Sequence, residues 1–237
     1  MTLPKLAMLL LAVAPPFALT GCAALDVAAG DPTTERRTIE DVSAVTLASV
    51  GDLHIRTGAE PSLTITAGDR VLDRVTSEVR DGTLVLDLDG RFLRTPGRIT
   101  YDLVLPAVDE IRLEGAGAVD ADLAATDRLR VELAGAGDIT AHGVDVDDLT
   151  VRVDGAGTVS LAGTAVRQDV EIDGVGGYSG EDLTSANADV TIGGAGDAHV
   201  HVTNALSAAV DGAGEIVHTG GARVTSSISG LGAVRQG

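Results

Sequence analysis

The sequence predicts an all-β chain wound as a parallel solenoid, and three observations carry that prediction. A Gly-x-Gly tripeptide recurs about every twenty residues, beginning at Gly115, Gly135, Gly155, Gly174, Gly194, Gly212 and Gly230, with spacings of 20, 20, 19, 20, 18 and 18. The residues flanking it alternate apolar and polar with period two, as strands with one buried face do. Composition agrees: 30 of 237 residues are glycine, aromatics make up 2% and there is no tryptophan. A core built without aromatic rings has to be filled by small and β-branched side chains in repeated layers. The 44% hydrophobic content excludes a disordered chain. The formal charge of −18 excludes a nucleic-acid partner, because no basic surface is available to displace counterions from phosphates.

Taken in chain order, residues 1–21 read as a lipoprotein signal peptide. Lys5 supplies a positive start, and Leu6 to Ala18 form an apolar run, interrupted by Pro15 and Pro16, that is too short to span a bilayer. The run ends in Leu19-Thr20-Gly21-Cys22, a match to the bacterial lipobox. Cys22 is the only cysteine, so it is the expected site of lipidation, and no internal disulfide can form. A lipid on Cys22 would anchor the chain to a membrane without spanning it. Ala23 in place of Asp after the cysteine implies outer-membrane sorting in a two-membrane bacterium. Residues 22–38 lack periodicity, contain Gly, Asp and Pro, and read as a flexible tether.

Residues 39–107 are strand-rich with less regular spacing. Ser43 to Ile55 contains a degenerate corner at Gly51, Ser62 to Ala67 and Thr83 to Leu88 alternate, and Arg70 to Val79 suits one short helix. Ile99 to Leu105 is a further strand, closed by Pro106. This part is either the first coils of the stack or a small cap sheet fused to it.

Residues 108–237 hold the repeats. Before the corners, the pairs Ile111/Leu113, Val131/Leu133, Val151/Val153, Val170/Ile172 and Val190/Ile192 share the same two offsets; after them Val119, Ile139, Val159, Ile216 and Val234 do. Each repeat therefore reads strand, tight corner, strand, polar return. The second glycines, Gly117, Gly137, Gly157, Gly176, Gly196, Gly214 and Gly232, complete the corners and leave room for neighbouring coils to stack. One coil cannot bury its apolar face alone, whereas stacked coils share a core. Seven coils about 4.8 Å apart would make a rod of about 30 Å. The last repeats shorten to 18 residues and place Ser226 and Gln236 in core phase, which suits a C-terminal cap.

The ordered series SAVTLASVGDLHIRTG, PSLTITAGDRVLDRVTSEVRDGTLVLDL, ITYDLVLPAVDEIRLEGAGAV and the serial G-A-G corners resembles the bacterial GIN-domain family (DUF2807), over residues 39–237. The resemblance implies a right-handed parallel β-helix with two sheets joined at the Gly-x-Gly corners. It implies an adhesive role, and it brings no catalytic residue. The lipobox, and the lack of room for a membrane barrel, depart from a true autotransporter.

Other chemistry finds little footing. A nucleotide site needs one glycine-rich turn feeding a helix, not seven between strands. Acidic columns before the corners (Glu114, Asp154, Asp173, Asp211) and after them (Asp138, Asp197, Glu215) read as a solvated face, with weak calcium bridging as the alternative. His199 and His201 share a strand face and read as a surface pair rather than a metal site, and His142 lies three coils away. No cofactor is expected. A carbohydrate-active enzyme would need paired carboxylates, and the aromatic platforms available beyond the signal are Phe92, Tyr101 and Tyr178. The sequence thus describes a non-catalytic cell-envelope lipoprotein presenting a solenoid for adhesion or for an unknown protein or glycan ligand. A periplasmic scaffold is the alternative, and a pectin-lyase-like enzyme a more distant one. Exposed edge coils leave self-association open.

Overall fold

The computed structural model describes residues 29–90 and 97–237; the signal peptide, Cys22, most of the expected tether and Phe92 lie outside the described residues. The chain is a β-solenoid of about six turns, 74% strand and 2% helix, so packing between strands supplies nearly all of its order.

The repeat region is the simplest part. Strands β8 (Glu110–Leu113), β9 (Ala116–Asp122) and β10 (Thr126–Leu133) lead into four strands that each run a whole coil: β11 (Ala136–Val153), β12 (Ala156–Ile172), β13 (Val175–Ile192) and β14 (Ala195–Val210). β15 (Ala213–Thr219), β16 (Arg223–Ile228) and β17 (Leu231–Gln236) finish the stack. Every pairing among these strands is parallel and one coil apart, as with Val131↔Val151, Val151↔Val170 and Val170↔Val190. The period-two residues form inward columns; one passes through Leu47, Leu113, Leu133, Val153, Ile172, Ile192 and Val210, all fully buried.

The return between strands is not the polar connection expected from the sequence. In β11 the inward residues run Ile139, Ala141, then Val144, Val146, then Leu149, Val151 and Val153. Consecutive outward residues at His142–Gly143 and Asp147–Asp148 mark two bends, so the return is a short third side with its own buried pair. It also stays in the ladder, Asp145 pairing with Thr164 and Val146 with Ala165. The alternation was hidden because its phase shifts by one residue at each bend.

The N-terminal part is both first coils and cap. β2 (Ala44–Leu47) and β3 (Val50–Thr57) form a coil in register with β8 and β9, including Gly51↔Gly117. After β3 the chain builds β4 (Ser62–Gly68), helix α1 (Asp69–Leu72), β5 (Val75–Arg80), β6 (Thr83–Leu88) and β7 (Thr100–Leu105). β6 and β7 then stack, parallel, on the free edges of β2 and β3. The first coil in sequence is therefore second in space. Antiparallel strands close this end: β5 on β6, β4 on β7, and β1 (Pro32–Arg37) on β4.

Two sequence expectations change here. Residues 32–37 are a strand rather than tether, and Arg37 fixes it by donating to the Val75 carbonyl at 2.7 Å. The expected helix over 70–79 shrinks to the one turn of α1, because Val75 and Val79 keep strand alternation in β5.

Candidate interaction surface

The corners fix how closely coils approach. A Cβ placed on Gly137 would lie 1.8 Å from the carbonyl oxygen of Gly117, and one on Gly157 the same distance from that of Gly137. Both glycines also have positive φ, +145° and +140°, where a side chain is strained. The remaining corner glycines stand in the same two columns, each with backbone of the preceding coil inside 2.5 Å of a would-be Cβ. Between them the middle residues, Ala116, Ala136, Ala156, Val175, Ala195, Ala213 and Leu231, face solvent as one edge of the rod.

Four acids of the two columns, Asp138, Asp197, Asp211 and Glu215, bind the protein's own next coil, while Glu114 pairs with Arg112 of its own strand. Asp138 accepts from the Thr158 backbone N–H at 2.9 Å, and Asp197 from that of Glu215 at 2.9 Å. Ser229 donates to Asp211 at 2.6 Å. Glu215 is paired with Arg235, whose guanidinium holds the carboxyl below its usual range. A carboxylate spent on a neighbouring coil is poorly placed to converge with others on a cation. Among the described residues no three His, Cys, Asp or Glu side chains group to hold a metal ion.

One outward column alternates in sign: Arg112, Glu132, Arg152 and Glu171 follow one another by register. Arg112 reaches Glu132 at 2.8 Å, Arg130 reaches it at 3.0 Å, and Arg152 pairs with Glu171. Glu132 is nearly buried beneath its two arginines, and the bridges tie coils two by two, Arg112 to Glu132 and Arg152 to Glu171. Residues two apart and twenty apart are both needed to see it, which is why reading along the chain missed it.

The histidines separate. Ser179 pairs with His199 but Thr184 with His201, because the ladder jumps a bend between them. His199 Nδ1 meets Glu181 at 2.6 Å, while His201 Nδ1 meets the Thr219 hydroxyl at 2.9 Å on the third side. Both alternate outward with buried Val200 and Val202, but they bond to opposite neighbours, His199 one coil back and His201 one coil on.

Tyr101 and Tyr178 are both buried and offer no platform to a sugar. Burial pushes both phenols up. The Tyr178 hydroxyl donates to Gln168 Oε1 at 3.0 Å, and Gln168 Nε2 donates to the Ser185 hydroxyl at 2.6 Å. This buried polar chain was not foreseen; Gln168 and Ser185 occupying inward phase is the signal that could have found it.

Open grooves mark the outer surface, and two of them are lined by charged side chains. One, of about 350 Å³, follows the third side past Thr126, Asp127, Asp145, Asp147 and Thr164. The other, of about 500 Å³, lies between Ser43, Asp109, Arg128, Arg130 and Asp148. Among the described residues no helix is long and apolar enough to cross a membrane.

These features define a β-solenoid in which some polar groups clamp adjacent coils and others line open outer grooves. The chain belongs to the GIN-domain family: the family model described as "Putative auto-transporter adhesin, head GIN domain" matches residues 41–222. No curated protein matches it. Solved structures share the fold. A "putative adhesin" from Bacteroides fragilis is 22% identical with a TM-score of 0.81, over 87% of this chain and 97% of that one. A "putative lipid binding protein" from Parabacteroides distasonis is 20% identical with a TM-score of 0.71, over 88% and 97%. A "putative adhesin" from Parabacteroides merdae is 21% identical with a TM-score of 0.66, over 88% and 97%.

Proposed function

We propose that this protein is a lipid-anchored, extracytoplasmic interaction module that displays a rigid solenoid from the cell envelope for adhesion, without catalysis. The observation that carries the reading is membership of a family described as an adhesin head, on a scaffold where Asp138, Asp197, His199 and His201 are engaged by neighbouring coils. The lipobox ending at Cys22 supports the anchor, and Ala23 after it supports the outer membrane. A ligand, protein or glycan, would be met by the outer grooves, where backbone rigidity lowers the entropic cost of binding.

Protease treatment of intact cells, with lysed cells as control and the protein followed by antibody, tests this. Degradation in intact cells is the expected result. Protection until lysis would put the solenoid in the periplasm and replace adhesion with an envelope-scaffold role. Loss of membrane association in Cys22→Ser is expected in parallel, and retention would remove the lipid anchor from the reading.

A further inference from the structure

The two ends of the rod are finished differently. At the N-terminal end the outermost strands are β1 and β5. β1 begins with Pro32, which has no N–H to donate, and carries Glu35, Arg36 and Arg37; β5 carries the ion pair Arg80–Glu78. Proline and charge on an edge discourage another strand from adding to it. At the other end, among the described residues, nothing stacks on β16 or β17. Val224, Ser226 and Ile228 continue the inward columns of Leu206, Ala208 and Val210. Yet Val224 and Ile228 are 39% and 48% exposed where Leu206 and Val210 are 2% and 0%.

This open coil is joined to the one before it by side-chain bonds as well as by the ladder. Arg235 bridges to Glu215, Arg223 donates to Asn204 at 3.3 Å, and Ser229 donates to Asp211. It also differs in charge from the rest of the chain. No acidic residue follows Glu215, and Arg223 and Arg235 are the two ionised side chains of the last coil. In a protein of net charge −18, an end that carries no carboxylate side chain lets two copies approach without opposing their acidic faces.

We infer that the protein pairs with a second copy of itself, tail to tail, through the open edge of β16. A two-fold axis through Ser226 sets β16 antiparallel to its counterpart, with Val224 opposite Ile228 of the partner and the reverse. The inward columns then run on across the junction and the two exposed apolar side chains join a continuous core. Head-to-tail growth is blocked at the guarded N-terminal edges, so assembly stops at two. The inference goes beyond the adhesive reading and stands or falls separately from it.

Cysteine cross-linking in the full chain tests the geometry. Across an antiparallel pair, facing residues have Cα atoms about 4.5–5.5 Å apart, inside the window of about 4.4–6.8 Å that a disulfide needs. Ser226→Cys is expected to give an oxidant-dependent dimer band that wild type, which keeps Cys22, and Ser207→Cys, one coil back, do not. Sedimentation equilibrium is expected to show a wild-type dimer, and loss of the dimer in Val224→Glu/Ile228→Glu, whose exposed positions leave the fold intact. Ser226→Cys cross-linking no better than Ser207→Cys overturns the inference. So do a wild-type monomer at high micromolar concentration, a ladder of species beyond the dimer, and capture of a different protein at Ser226→Cys.

Discussion

The capped end and the open end of the same solenoid solve the edge problem in opposite ways. At the N-terminal end the chain doubles back, places β6 and β7 beneath the β2–β3 coil, and lays antiparallel strands over them. Leu63 and Ile65 of the covering strand β4 are fully buried. At the C-terminal end the repeat shortens to 18 residues, puts Ser226 and Gln236 in core phase, and leaves Val224 and Ile228 facing solvent. The repeat itself is indifferent to where it stops, since each coil interacts only with its neighbours. Termination has to be written in separately, and among the described residues the antiparallel covering strands stand at the N-terminal end.

The middle of the rod gives the largest test of this view. Gly137→Val puts a branched side chain where a Cβ alone lies 1.8 Å from the Gly117 carbonyl oxygen. The adjacent coil cannot give way without breaking the ladder on both sides, so the loss should be on the order of 4 kcal/mol. Gly82→Ala, at φ +80° with nothing within 4 Å of its Cβ, pays for conformation alone and should lose about 1 kcal/mol. Thermal unfolding of the two variants measures the gap. Equal losses would mean that backbone conformation, not coil contact, demands the corner glycines.

A second pair sharpens the contrast between interior and open end along one column. Ile192→Ala removes a fully buried side chain and should cost about 3 kcal/mol. Ile228→Ala, in the same inward phase but 48% exposed, should cost under about 1 kcal/mol in the dilute monomer. Denaturant midpoints measured at low concentration give the comparison. A large loss at Ile228 under those conditions would show that the end coil is covered after all.

The same contrast explains what could be seen in the sequence. The corners and the Ile111/Leu113-type pairs were legible because period two and period twenty coincide there, and both survive as inward columns. The Val144–Val146 side was not, because two bends shift the phase of alternation without a proline or a glycine pair to announce it. The order of the first coils was not legible either: β2 pairs with both β6 and β8, and nothing local to Ala44–Leu47 says which neighbour comes from which part of the chain. The acidic columns were visible as columns, but their use was not. Asp138 and Asp197 bond to backbone N–H groups one coil on, a contact that spacing alone does not distinguish from solvation.

Within the interior, Tyr178→Phe should have an intermediate effect. It leaves Gln168 Oε1 without its donor in a site from which water is excluded, a loss of about 1–2 kcal/mol. Tyr178→Phe combined with Gln168→Leu should recover part of that loss, because both polar partners then leave together. Thermal unfolding of the single and double variants checks it, and a double variant worse than the sum of the two singles would deny the pairing.

The smallest effect belongs to the open end. Arg235 lowers the Glu215 carboxyl below its ordinary value of 4.5, chiefly by hydrogen bonding. A carboxyl depressed in the folded state contributes stability that is fully present above its unfolded pKa. That contribution fades as pH falls through the lower folded value. The advantage of wild type over Arg235→Gln should therefore be constant from neutral pH down to about 4.5 and close below it. It should also shrink in high salt, since both groups are solvent-exposed. Carbon-detected NMR titration of the Glu215 side chain should show its midpoint rising in Arg235→Gln. If the midpoint does not move, the last coil is not held by this bridge, and the rigid open edge rests on Arg223–Asn204 and Ser229–Asp211 alone.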